Sequence, residues 1–139
     1  MKAIFLILTL TLYSSFNPLS INTSQESYSF TFSKYDRVGL NGSTVINKST
    51  IDQSGSIQFN KNQIRLKNGV SEEIFTIEKC IKQVDGYQIN TLDSKGNRCM
   101  IGVIKRQGID FVIFHYLDKS SMLMHHISAG FNLNMNICN

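Results

Sequence analysis

Residues 28–33 read Tyr-Ser-Phe-Thr-Phe-Ser, and this stretch decides the fold class of the chain. Aromatic and hydroxylated side chains alternate in it with a period of two, which predicts a strand with one buried and one exposed face. The same alternation returns in residues 57–66 and 86–105, in short segments that turn sequences separate. No stretch after residue 26 keeps an apolar stripe at helical spacing through three turns. We therefore expect a domain built entirely of β-strands.

The turn sequences predict how these strands connect. Asn41-Gly42, Asn68-Gly69 and Asp85-Gly86 are pairs that favour the positive φ angles of tight hairpins. Short connections after Ile57 predict an up-and-down antiparallel meander of about eight strands, which hides its two edges when it closes into a barrel. A β-sandwich is the alternative, and only the polar residues 47–54, expected to form a loop, offer the longer crossover that it needs.

A closed meander of this kind has the layout of the lipocalin barrels. Turn spacing alone supports that comparison. The chain contains no Trp, so the Gly-x-Trp motif of that family is missing and no ligand or pocket residue can be transferred from it.

The first twenty residues carry the pattern of an export signal. Lys2 precedes the apolar stretch Ala3–Leu12, and small polar residues follow it. This stretch of apolar residues and Thr is too short to span a bilayer, which takes roughly 20 residues. We expect residues 1–20 to be a cleaved signal peptide and residues 21–139 to form one secreted or periplasmic domain that is not an integral membrane protein. A buried N-terminal core segment is the alternative.

The charge of the chain does not predict a nucleic-acid partner. The formal net charge is +4 at pH 7, but apart from the pair Lys105-Arg106 the Lys and Arg residues are scattered singly along the chain. Scattered charges are typical of a solvated surface rather than of a track that follows phosphates.

Three cysteines, an odd number, predict either one disulfide and one free thiol or an intermolecular disulfide. In a regular meander Cys80 and Cys99 lie near opposite strand ends, roughly 16 Å apart at about 3.3 Å per residue, which is too far for a disulfide. The C-terminal tail should leave the sheet at the end where Cys80 lies. We therefore predict a Cys80–Cys138 disulfide and a free, inward-facing Cys99. Three unpaired thiols are the alternative.

The sequence predicts no catalytic residues, no metal site and no cofactor. His115 and His126 are expected to be diagonal neighbours on one face of a hairpin, but no third ligand accompanies them. The chain has no Gly-x-Ser-x-Gly motif. Asp85, Asp93 and Asp118 stand in predicted turns, where paired catalytic carboxylates are not expected. An enzyme is therefore the least favoured class.

Aromatic residues are the remaining candidates for a functional site. We expect Phe59, Phe75, Tyr87 and Phe111 to point into the barrel. They could line a cavity for one small hydrophobic ligand, which eight-stranded barrels can hold. The alternative is a solid core in a structural or protein-interaction domain. The sequence thus predicts an exported binding module and does not identify its ligand or protein partner.

Overall fold

The computed structural model describes residues 27–106, 109–128 and 137–138, and all regular elements in these ranges are β-strands. The all-β prediction is confirmed, whereas the signal peptide predicted for residues 1–20 lies outside the described residues. These ranges contain no helix that could cross a membrane. The strands are β1 (Tyr28–Asn41), β2 (Thr44–Ile51), β3 (Gly55–Phe59), β4 (Gln63–Asn68), β5 (Ser71–Gln83), β6 (Gly86–Leu92), β7 (Arg98–Arg106), β8 (Ile109–Tyr116) and β9 (Ser121–Ile127).

Eight of these strands close into an antiparallel barrel, and β2 is an additional strand outside the ring. Strands β3 to β9 pair in chain order. The long strand β1 closes the ring, because residues 28–32 pair with β3 and residues 32–39 pair with β9. On the side away from β9, residues 35–41 of β1 pair with β2. The predicted closed meander is confirmed, and the sandwich alternative is wrong.

The loop predicted for residues 47–54 is wrong over its first five positions, because β2 runs through Ile51. Polar side chains of β2 bind β1. The Asn47 side-chain oxygen accepts a hydrogen bond from the Gly39 backbone N–H at 3.0 Å, and Thr50 bonds to a β1 carboxylate described below. The pairing skips Ile46, which forms a β-bulge opposite the Gly39–Leu40 step.

The inward faces of the eight ring strands form the core. Phe30 and Phe59 meet edge to face with ring centroids 5.5 Å apart, and Phe75 and Phe114 lie 5.2 Å apart. Such aromatic pairs stabilise a core beyond the area they bury. The side chains with at most 1% of their surface exposed include Ile57, Phe59, Ile64, Leu66, Phe75, Tyr87, Ile89, Ile101, Val103, Val112, Phe114 and His125.

The C-terminal tail is tied to one end of the barrel. Cys80 and Cys138 form a disulfide with their Cα atoms 5.2 Å apart. The adjacent Ile137 joins the core cluster with only 8% of its surface exposed. Cys99 is free and buried. The sequence prediction for all three cysteines is confirmed, because the meander directions on which it rested are those of the structure.

Candidate functional site on the outer face of the barrel

Three of the four aromatic residues predicted to line the interior do point into it. Phe59, Phe75 and Tyr87 are exposed by 1%, 0% and 1%. A side chain without water-accessible surface has no water-sized void beside it, so these residues border packed neighbours rather than a cavity. Their predicted role in ligand binding stays a prediction. Their close packing shows that they are part of the hydrophobic core.

The orientation predicted for Phe111 is wrong. Val112 and Phe114 of the same strand fill the interior, and side chains alternate along a strand, so Phe111 points outward. There it lies against His126, with ring centroids 5.0 Å apart. Strand β8 is apolar on both faces, so its alternation could not show which side faces the core.

Phe111 belongs to a largely apolar surface on the outside of the barrel. Directly paired residues share a face, so the register of β7, β8, β9, β1 and β2 arranges their outward side chains in rows. We call this surface the outer patch. Its rows are Met100–His115–Met122–Val38–Lys48, Gly102–Ile113–Met124–Asp36–Thr50 and Ile104–Phe111–His126–Lys34.

The apolar members of the outer patch are only partly open to water. Val38 is exposed by 2%, and Met100, Ile104, Phe111, Ile113, Met122 and Met124 are all half-buried. Methionine adapts its shape to irregular partners and is common on binding surfaces. One sequence signal marks this patch, the run of apolar residues on both faces of β8, but the same run is equally typical of a strand enclosed on both sides.

A buried carboxylate lies within the outer patch. The side chain of Asp36 is 4% exposed. Thr50 donates its hydroxyl hydrogen to Asp36 Oδ1 at 2.7 Å, and His126 Nε2 donates to Asp36 Oδ2 at 2.8 Å. The ammonium nitrogen of Lys48 lies 3.5 Å from the same Oδ2 atom. We call these four residues the Asp36 cluster, which joins β2, β1 and β9.

The cluster keeps Asp36 ionised. Burial raises the pKa of this carboxyl, but the hydrogen bonds from Thr50 and His126, with the nearby charges of His126 and Lys48, outweigh burial and lower the pKa. Sequence reasoning missed this site. Asp36 is a single acid within a strand, and its partner His126 lies 90 positions away in the chain, so no local motif marks it.

The histidines of β9 have opposite surroundings. His126 is outward in the Asp36 cluster, whereas His125 is fully buried between Phe32, Tyr35 and Phe114. His125 Nδ1 donates to the Val112 carbonyl at 3.3 Å, and its Nε2 has no hydrogen-bond partner. Burial, partly offset by that hydrogen bond, lowers the pKa of His125 to about 4. His125 is therefore neutral at pH 7.

The predicted relation between His115 and His126 is half right. Both point outward, but they are not diagonal neighbours, because His115 pairs with Met122 while His126 pairs with Phe111. The turn before β9 begins at Leu117, which shifts the hairpin register by two residues from the predicted one. Within the described ranges no three His, Cys, Asp or Glu residues form a group that could hold a metal ion.

A surface cleft of about 290 Å³ lies where β5 bulges beside β6 and β7. Its lining includes Glu78, Arg98 and Cys99. Burial, with the nearby charges of Glu73 and Asp93, raises the pKa of the Cys99 thiol to about 12, so this thiol is not an activated nucleophile. Thr91, also in the lining, already donates its hydroxyl hydrogen to the Cys99 carbonyl at 2.8 Å. The cleft therefore holds no activated thiol.

Comparisons with known proteins add no relative. No family model matches the chain, and no match was found among curated proteins or among solved structures.

Proposed function

We propose that this chain is an exported β-barrel binding module that binds a protein partner through its outer patch. The observation that carries the proposal is the set of half-buried Met, Ile and Phe side chains on the outward faces of β7, β8 and β9. Larger apolar patches with polar rims mark interaction sites on soluble domains, and the centres of such interfaces are apolar and rich in aromatic residues and Met.

Two further features support an outer rather than an inner binding surface. The interior side chains have almost no exposed area, so they show no space for a small hydrophobic ligand. The polar side of the patch presents positive charge to solvent, because Lys34 and Lys48 are exposed whereas the Asp36 carboxylate, which Lys48 contacts, is buried. We expect the partner to offer an apolar surface with acidic groups beside it.

Export is the second part of the proposal. A disulfide that closes a long loop is typical of proteins that fold in an oxidising compartment. The Cys80–Cys138 bond therefore supports secretion or a periplasmic location, in agreement with the signal peptide expected at residues 1–20.

Site-specific photocrosslinking tests the binding surface. A benzophenone side chain at Met124 should link the partner in the fluid or compartment where the protein works, whereas one at Thr76 should not. Thr76 is the control because it is exposed on β5, away from β8, β9 and β1. The further substitution Ile113→Glu should abolish the link from position 124. Equal linking from both positions would contradict the proposal.

Native mass spectrometry of protein purified from its own source separates the two binding modes. We expect every species to have the mass of the mature, disulfide-bonded protein with no small molecule bound. A retained small apolar molecule would instead support ligand binding inside the barrel and overturn the proposal.

A further inference from the structure

Strand β2 is an edge strand of the sheet that the described residues form. It pairs with β1 on one side, and among the described strands it stands at the end of the sheet order with no neighbour on its other side. All of residues 44–50 are exposed. An unpaired edge offers a row of backbone N–H and C=O groups that can bind another extended strand.

The sequence of β2 suits strand pairing. Thr44–Ile51 reads Thr-Val-Ile-Asn-Lys-Ser-Thr-Ile, in which β-branched residues predominate and Pro is absent. Proteins often protect an open edge with a lysine or a bulge. Here the Lys48 ammonium lies 3.5 Å from Asp36, over the barrel rather than across the edge. The bulge at Ile46 leaves Asn47–Ile51 as a regular segment.

We propose that the β2 edges of two copies of this chain pair antiparallel about a two-fold axis at Ser49. In this register Ser49 lies opposite its own copy, Lys48 lies opposite Thr50, and Asn47 lies opposite Ile51. No like charges then face each other. Two neighbouring registers keep the same faces aligned. The one centred on Lys48 puts Lys48 opposite Lys48, which like-charge repulsion disfavours. The one centred on Thr50 puts Lys48 opposite Asp52, beyond the end of β2, and pairs only residues 49–51 of the regular segment. The Ser49 register pairs all five residues of that segment without facing like charges.

This pairing goes beyond the proposed function and does not depend on it, because it uses the backbone edge of β2 rather than the apolar side chains of the outer patch. It would nevertheless place the two outer patches on the same side of one continuous sheet. Stable interfaces bury about 1,600 Å², and a five-residue strand pair buries less. We therefore expect a weak dimer that forms reversibly as concentration rises.

Sedimentation velocity over a concentration series tests the pairing. The wild-type chain should shift from monomer to dimer. The substitution Ser49→Glu should weaken the association at least about tenfold, because the two carboxylates would face each other across the axis. Ser49 lies opposite Arg37 in its own chain, so a carboxylate at this position should leave the fold intact. Thr76→Glu, at an exposed position of β5, is the matched control and should dimerise like the wild type.

Cysteine crosslinking tests the register. Ser49→Cys should form a covalent dimer under mild oxidation much faster than Thr76→Cys, and the buried Cys99 should not compete. Equal rates for the two variants would overturn the proposal. So would a wild-type chain that stays monomeric at all concentrations, or a dimer that Ser49→Glu leaves unchanged. None of these results would affect the photocrosslinking test of the outer patch.

Discussion

His125 and His126 are neighbours in β9, but only His125 lies inside the barrel, where burial lowers its pKa to about 4. In the unfolded chain its pKa is near the ordinary value of 6.5. Between these values the unfolded state binds the proton and the folded state does not, so stability falls as pH falls. We expect the free energy of unfolding to drop by about 2–3 kcal/mol between pH 7 and pH 4.5.

Urea denaturation at pH 7, 5.5 and 4.5 measures this dependence. His125→Phe should remove most of it, because phenylalanine fits among Phe32, Tyr35 and Phe114 and carries no proton. His115→Gln is the matched control at a half-buried outward position and should keep the dependence. A His125→Phe variant that loses stability with pH as the wild type does would contradict this explanation.

The Asp36 cluster should stabilise the fold, because the buried Asp36 carboxylate binds Thr50 and Lys48 of β2. Asp36→Asn keeps the shape but removes the charge that faces His126 and Lys48. We expect unfolding at pH 7 to become easier by about 1–3 kcal/mol, since the hydrogen bonds of a buried group lose their charged partner. Asp52→Asn, at an exposed position, should change stability little. Equal effects of the two substitutions in chemical denaturation would show that the cluster stabilises nothing.

Single residues differ in how far the sequence could place them. Cys80, Cys99 and Cys138 could be assigned because strand direction alone decides which of them can meet. Phe111 could not, because both faces of β8 are apolar and only the register with β9 shows which face is inside. Asp36 could not either, since its environment depends on three residues from other parts of the chain.

At the scale of the strands, Gly55 marks a place where three strands approach closely. A Cβ atom there would overlap the Lys67 backbone oxygen and the ring of Phe32. We expect Gly55→Ala to lower the free energy of unfolding by roughly 1–3 kcal/mol, the usual cost of overpacking. Gly102→Ala is the matched control, because its Cβ would lie 4.0 Å from its nearest neighbour, Ile113. Thermal or urea unfolding of both variants checks this, and two equally stable variants would contradict the packing described.

Strand β2 shows what sequence patterns leave out at this scale. The Asn41-Gly42 turn predicts a return strand over residues 43–46, but residues 44–50 are exposed on both faces, so no apolar alternation shows that β2 continues to Ile51. Side-chain hydrogen bonds to Gly39 and Asp36 attach β2 to β1. Because these contacts join two strands, the local sequence of β2 does not show them. The ring strands could be predicted because each buries one face, and a buried face imposes a period of two.

For the whole molecule, the sequence predicted the closed meander correctly because short turns leave few topologies open. It did not predict the outer patch, which depends on the register of five strands. A strand that is apolar on both faces has two explanations, burial inside a layered fold or an interaction surface outside a barrel. The structure separates them for β8, whose inward side fills the core while its outward side remains half-buried on the surface.

The Cys80–Cys138 disulfide acts on the whole chain, because it joins residues 58 positions apart. A bond that closes a loop of this length restricts the unfolded chain and is worth about 4 kcal/mol in the chain-entropy model. The Cys80→Ser, Cys138→Ser double variant should lose about that much free energy of unfolding. It should keep its β-type circular dichroism, because none of the barrel's strand pairs involves residues 137–138. Cys99→Ala is the control, since it should keep the disulfide and its sensitivity to reductant. Wild-type stability that reductant does not change would contradict the predicted role of this bond.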